Sequence, residues 1–208
     1  QYTGMKVKQI LEERFSVPVA VENDVNAAAV GEGAFGAARD YDDYLCLTFG
    51  SGIGGGIVLG GKILRGAGGV AGEVGHLITH KGGLLCGCGA RGCYEQYAST
   101  TALVREAKKA CPACVDGRAV FAELNAGNAA VKAAVDSWIE EVACGLASLI
   151  HTFNPPCIVL GGGIMNEKYI QDGLDTALKS VAMASFLKDM KLVRAELGNK
   201  AGLLGAAK

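Results

Sequence analysis

Several features that would announce a function class are missing from this sequence. No apolar run approaches the ~20 residues of a membrane-spanning helix, and no signal-peptide pattern opens the chain. Lysine and arginine number 20 against 21 aspartates and glutamates, a formal net charge of −1. That balance supplies no electrostatic basis for binding nucleic acid or an anionic membrane. Aromatic residues make up only 6% of the chain, so a core has to be assembled from aliphatic side chains. No Gly-Lys-Ser/Thr follows a glycine-rich loop, which excludes a Walker loop, and no Gly-X-Gly-X-X-Gly turn opens a helix as in dinucleotide folds. No repeat with a period of roughly 20–50 residues and no low-complexity tract is present.

What is abundant is apolar residues, glycine and cysteine. Half of the 208 residues are hydrophobic, enough for one large domain or two small ones with an α/β core. Of eight cysteines, three sit in the stretch Cys86-Gly87-Cys88-Gly89 and Gly92-Cys93, with His76 upstream. One histidine and three cysteines are a standard tetrahedral zinc set, and Gly87, Gly89 and Gly92 permit the positive φ that a tight knuckle requires. The expected metal ligands are therefore His76, Cys86, Cys88 and Cys93, around a structural zinc with no open position. Cys46, Cys111, Cys114, Cys144 and Cys157 remain, an odd number that argues against a disulfide framework. Cys111-Pro-Ala-Cys114 has the spacing of a redox pair, but its flanks read as a helix end and a loop, so two ordinary thiols are expected.

The motif Glu73-Val-Gly-His76 followed by Cys86-Gly-Cys-Gly-Ala-Arg-Gly-Cys-Tyr-Glu95 resembles the signature of ROK sugar kinases and repressors, and among them the bacterial glucokinases. The resemblance runs from about Val19 to the C-terminus. It implies an actin-like, ribonuclease-H-like ATPase lobe carrying an inserted zinc knuckle over residues 76–93.

Along the chain, Met5–Phe15 reads as an amphipathic helix burying Val7, Ile10 and Leu11. Val17–Glu22 reads as a buried strand. Asn23 or Asp24 then suits the N-cap of a helix over Ala27–Phe35. A carboxylate just past a strand's C-terminal end also sits where ligands bind in open α/β sheets, and Asn23-Asp24-X-Asn26 resembles the family motif carrying the catalytic aspartate. Tyr44–Phe49 and Ile57–Leu59 read as strands flanking Gly50–Gly56, and Gly60-Gly61 as a tight turn. A glycine loop of this kind offers backbone N–H groups to anionic oxygens. Its resemblance to the second phosphate loop of the sugar kinase, actin and heat-shock ATPase superfamily carries ATP contacts over to Thr48, Gly50, Ser51 and Gly52. Tyr94–Ala110 reads as helical. Asn128–Phe153 reads as a long helix with Val131, Val135, Trp138, Val142 and Leu146 buried, and His151 as a cation or polar group favouring its dipole. Cys157–Leu160 is an expected strand, and the turn at Gly161–Gly163 leads to a helix over Asn166–Ala184. Glycine-rich strand-to-helix turns approach nucleotides closely, and the family places adenosine contacts here, at Gly162 and Gly163. Lys191–Arg194 closes the strands and Ala201–Ala207 the helices.

The resemblance implies ATP-dependent phosphorylation of a hexose, first of all glucose, with Asp24 as general base. Asn23, Asp24, Glu73, His76 and Glu95 match family positions that hold the sugar hydroxyls, and Mg2+ would enter with ATP. A kinase for fructose or N-acetylmannosamine, the sugar-sensing lobe of a ROK repressor, and a zinc-stabilised module without catalysis are the alternatives. A cytoplasmic homo-oligomer, a dimer, is expected. The chain opens on Gln1 and contains no Asp-X-Gly-Gly-Thr first phosphate loop, so residues 1–208 are expected to be the C-terminal lobe, inactive by itself.

Overall fold

The computed structural model describes residues 4–208. Its centre is a five-stranded sheet of β1 (Tyr44–Phe49), β2 (Ile53–Leu59), β3 (Lys62–Ile63), β4 (Cys157–Gly161) and β5 (Lys191–Arg194), in the spatial order β3-β2-β1-β4-β5. β1, β2 and β3 form an antiparallel meander, while β1, β4 and β5 run parallel. Side chains alternate across the sheet, and both faces are buried. Leu45, Leu47, Phe49, Ile158 and Leu160 face one core, and Tyr44, Cys46, Cys157 and Val159 the other. This two-sided burial explains why β1 and β4 read as continuous apolar runs.

The larger core lies under α3 (Glu95–Ala98), α4 (Thr100–Ala110), α5 (Gly117–Asn125), α6 (Ala129–Phe153) and α7 (Lys168–Val181), the last followed by the short α8 (Ala184–Leu187). α6 is its backbone: Val131, Val135, Trp138, Val142 and Leu146 are all buried along it. Asn128 caps its start by accepting from Ala130 and Val131 N–H at 3.2 Å, and Asn154 ends it in the left-handed region at φ 44°. The other face of the sheet carries α2 (Asp24–Phe35) and α9 (Ala201–Ala206), packed directly against each other. No helix among the described residues is long and apolar enough to cross a membrane.

The structure departs from the sequence-based expectation at several points. Residues 17–22 form no strand: they join no ladder, and Val17 and Val21 are 52% and 60% exposed. A β-branched run meets the local requirement of a strand but not the requirement for a ladder partner. α1 (Val7–Phe15) does form, yet buries no residue; Ile10 and Phe15 lie exposed and Val7 and Leu11 only half-buried. α2 begins at Asp24 rather than Ala27, and β2 begins at Ile53, so Gly54, Gly55 and Gly56 belong to the strand. They are tolerated because Val25, Val74 and Ala29 crowd the space that side chains would fill. The helix expected over 94–110 breaks at Ser99, whose hydroxyl caps α4 through Ala102 N–H at 3.1 Å. The helix expected from Asn166 begins at Lys168, after a 3-10 turn over Gly163–Asn166. α5 has no counterpart in the sequence reading. His151 lies in the last turn of α6, where its Nε2 accepts from Met183 N–H at 3.1 Å and its ring meets Phe186 edge-on.

Candidate active site

The parallel strands β1 and β4 end in glycine-rich turns on one side of the sheet, the side where α2 begins. A cavity of about 700 Å³ opens there. It collects the residues in three groups.

The first group is the start of α2. Asn23 caps the helix, its Oδ1 accepting from Val25 N–H at 2.9 Å and Asn26 N–H at 3.1 Å. That occupation of Asn23 leaves Asp24 as the first helical residue, exposed to the cavity, with one carboxylate oxygen accepting from Val25 N–H at 2.9 Å. Glu22 buttresses the turn: its carboxylate accepts from Asn23 N–H and Asn26 Nδ2 at 3.0 Å, and from Arg65 at 2.6 and 3.0 Å. Those partners outweigh the cost of partial burial and hold its carboxyl below the usual glutamate range.

The second group is the 3-10 turn Val74–His76 with its flanking carboxylates. The His76 ring is bifunctional in its placement. Nδ1 lies 3.6 Å from Cys86 Sγ and 3.9 Å from Glu95 Oε1, while Nε2 lies 3.9 Å from Glu73 Oε2. One nitrogen thus faces the cysteines and the other the cavity that Glu73, His76 and Glu95 line together.

The third group consists of the glycine turns. Thr48, Gly50, Ser51 and Gly52 form the β1–β2 corner of the cavity, and Gly162 and Gly163 face them from the end of β4. The two turns approach so closely that a Cβ on Gly162, at φ +107°, would lie 2.2 Å from Phe49 O. A second cavity, of about 870 Å³, continues past Gly50, Ser51 and Gly163 between Thr100, Val104 and Arg118.

Behind His76 is the cysteine cluster. One ligand atom from each of His76, Cys86, Cys88 and Cys93 lies within 4.8 Å of the others, and Cys88 Sγ is 3.6 Å from Cys93 Sγ. A tetrahedral zinc with bonds of about 2.1–2.3 Å sets its ligands about 3.5–3.8 Å apart, so the donor set fits the ion in chemistry and in spacing. Gly89 and Gly92 take the positive φ a knuckle needs, 91° and 87°, whereas Gly87 does not. Burial and the neighbouring sulfurs push the Cys93 thiol up, and the Ala90 and Cys93 contacts lower that of Cys88. Three sulfurs this close accommodate negative charge poorly unless a cation compensates it.

Each residue that sequence reasoning assigned to sugar or ATP lines the main cavity, and the four proposed metal ligands converge just behind it. Sequence reasoning missed Asn166, Asn199 and Glu32, which line the same cavity. The first two sit in turns with no motif. Glu32 carried a signal that passed unread, a lone carboxylate within the alanine-rich stretch of α2.

A ROK family model matches residues 1–208. The chain is 40% identical to the glucokinase of Streptomyces coelicolor over 220 residues, covering 97% of this chain and 69% of that protein. Two solved structures superpose closely. The ROK hexokinase of Thermus thermophilus does so with a TM-score of 0.87 at 43% identity, over 97% of this chain and 67% of that one. The ROK glucokinase of Streptomyces griseus, in complex with glucose and AMPPNP, gives 0.85 at 38%, over 96% and 70%. A putative N-acetylmannosamine kinase from Listeria monocytogenes follows at 0.84 and 32%, over 96% and 68%, and the xylose repressor of Bacillus subtilis is 30% identical over 98% of this chain and 53% of that protein. The fold, a mixed α/β sheet with glycine turns at one end, is that of the ROK sugar kinases, and the chain belongs to the ROK family.

Proposed function

We propose that this chain supplies the sugar site, the general base and one phosphate loop of an ATP-dependent hexose kinase, with glucose the preferred acceptor. The observation that carries the reading is the placement of Asp24. It is an exposed carboxylate at the mouth of a cavity, facing polar side chains on one wall and open backbone turns on the other. A sugar sensor has use for the first wall only.

In the reaction, Asp24 accepts the proton of a sugar hydroxyl as its oxygen bonds to the γ-phosphorus and the bond from that phosphorus to ADP breaks. Proton transfer of this kind contributes typically about 10²–10⁴-fold in rate. Asn23, Glu73, His76 and Glu95 hold the ring hydroxyls, a donor and acceptor array suited to a hexose. Thr48, Gly50, Ser51 and Gly52 receive the phosphates. Gly162 and Gly163 let the adenosine pass towards the second cavity, whose mixed polar and apolar walls suit a base. Mg2+ brought in with the nucleotide neutralises charge on the phosphates. His76, Cys86, Cys88 and Cys93 would hold a structural zinc, and binding through Nδ1 would orient the His76 ring and leave Nε2 free for the sugar.

The similarity to the S. griseus glucokinase–glucose complex and the 40% identity to the S. coelicolor glucokinase support glucose. The reading also makes this chain the lobe that a first phosphate loop must face to close the site, so the test uses the protein expressed from its natural start codon. ADP release is measured with glucose, mannose, fructose and N-acetylmannosamine. The highest kcat/KM is expected for glucose. Preference for another hexose would reassign the substrate, and sugar binding with no ADP release for any hexose would favour a sensor.

A further inference from the structure

We propose that Glu32 is a positioning residue that ties the helix carrying Asp24 to the nucleotide side of the cavity. This rests on the kinase reading above and assigns Glu32 a role in it. Glu32 is fully buried, at 0% exposure. Among the described residues no cation pairs with its carboxylate. Oε2 accepts from Ala37 N–H at 2.9 Å and Glu196 N–H at 3.1 Å, and Oε1 accepts from Leu197 N–H at 2.9 Å. Two of those donors lie more than 160 residues away in sequence, on the loop that leaves β5.

That loop runs on at once into Gly198 and Asn199, which line the cavity opposite Gly161, Gly162 and Gly163. Its start is tied to β4 by Ala195 N–H, which donates to Leu160 O at 2.9 Å, but at Glu196 and Leu197 the only other contact to a different element is an exposed Arg39–Glu196 pair at 3.3 Å, a kind of contact that contributes little. The carboxylate therefore sets where the loop sits. It does so from α2, whose other end presents Asn23 and Asp24. α2 is in turn pressed against α9, immediately after the loop: a Cβ on Gly31 would lie 2.2 Å from Ala201 O, and one on Gly205 1.7 Å from Ala27 O. The two ends of one rigid helix thus fix the catalytic carboxylate and the wall that faces the nucleotide. Burying a carboxylate is costly unless its hydrogen bonds are complete, and an apolar residue would fill this helix–helix layer at less cost. The arrangement makes sense where the loop must be held in one place.

The test is Glu32→Gln in the protein expressed from its natural start codon. The amide keeps the volume but turns an N–H towards an N–H donor, so one side of the clamp opens. The KM for ATP and the Kd for AMPPNP are expected to rise roughly 10-fold or more, in line with the sensitivity of transfer to small displacements. The KM for the hexose stays within about two-fold, and the amides of Glu196 and Leu197 exchange hydrogen faster. Faster exchange with an unchanged ATP KM, or an equal rise in both KM values, would overturn the assignment. Should Glu32→Gln not fold, Glu32→Asp is measured in the same way, since it keeps the charge but withdraws it by one methylene. Wild-type AMPPNP binding separates the two claims: its absence rejects the kinase reading, whereas its presence with an unchanged variant Kd rejects the role of Glu32.

Discussion

Removing one sulfur from the cysteine cluster should weaken metal binding and, through His76, the grip on the sugar. Cys88→Ser is the cleanest perturbation, because Cys88 is exposed and its sulfur contacts only the other cysteines of the cluster and the Ala90 backbone. Structural zinc in a four-ligand site is held by ~10–16 kcal/mol. Shared evenly, that is about 2.5–4 kcal/mol per ligand, a loss of roughly 10²-fold or more in affinity. The rest of the knuckle is held by turn hydrogen bonds such as Cys86 N–H to Ala90 O and Gly92 N–H to Leu84 O, and by the stacked His80–Tyr97 rings, with few apolar side chains buried. Ile78, Leu84 and Leu85 are 53%, 43% and 62% exposed, and two isolated bridges, Ile78–Cys93 and Leu85–Arg91, are its only strand-like pairing. Without a metal, His76 Nδ1 would keep only a weak sulfur contact to Cys86 Sγ at 3.6 Å and a 3.9 Å approach to Glu95, the latter too long for a hydrogen bond. Loss of an orienting partner at a metal-linked histidine typically costs ~10–100-fold, so the hexose KM should rise by that order while the ATP KM changes less. Metal analysis of the purified protein should give one zinc per chain, and close to none for Cys88→Ser. The sign with pH follows from the thiols. Burial raises the Cys93 thiol above its ordinary range, so zinc has to displace protons and its affinity falls as pH falls. A folded, zinc-free wild-type protein with an unchanged hexose KM would refute this reasoning.

Two other outcomes can be checked separately. Asp24→Asn should lower kcat by about 10²–10⁴-fold, measured as ADP release. Glucose Kd by calorimetry should stay within a few-fold, because the amide still reaches the hydroxyl; near-normal turnover would leave Asp24 as a helix-start residue only. Gly205→Ala should lower thermal stability, since its Cβ would sit 1.7 Å from Ala27 O in backbone that cannot swing aside. Overpacking of this kind costs ~1–3 kcal/mol, and an unchanged melting temperature would show that α9 is free to shift.

What could be read from the sequence was whatever had a local cause. β1, β4 and α6 were legible because their apolar patterns match their burial. The convergence of His76, Cys86, Cys88 and Cys93 was legible because their spacing and the intervening glycines allow a tight turn. Residues 17–22 misled because a strand needs a neighbour that no local pattern supplies. Gly54–Gly56 looked like loop for the opposite reason: their strand character comes from the ladder to β1 and from crowding by α2 and Val74. Glu32 could not be assigned from sequence, since its partners are loop N–H groups that come near only when β5 and α9 are in place. The groups assigned to sugar and to phosphate were named one motif at a time. That they share one cavity is a property of the fold, in which β1 and β4 end side by side.

The central claim is transfer of phosphate from ATP to a hexose at this cavity. Its most direct test follows wild-type protein, expressed from its natural start codon, with ATP, Mg2+ and glucose by phosphorus NMR. The account predicts that ADP and glucose 6-phosphate appear in equal amounts. Bound glucose and bound nucleotide with no sugar phosphate formed would contradict it.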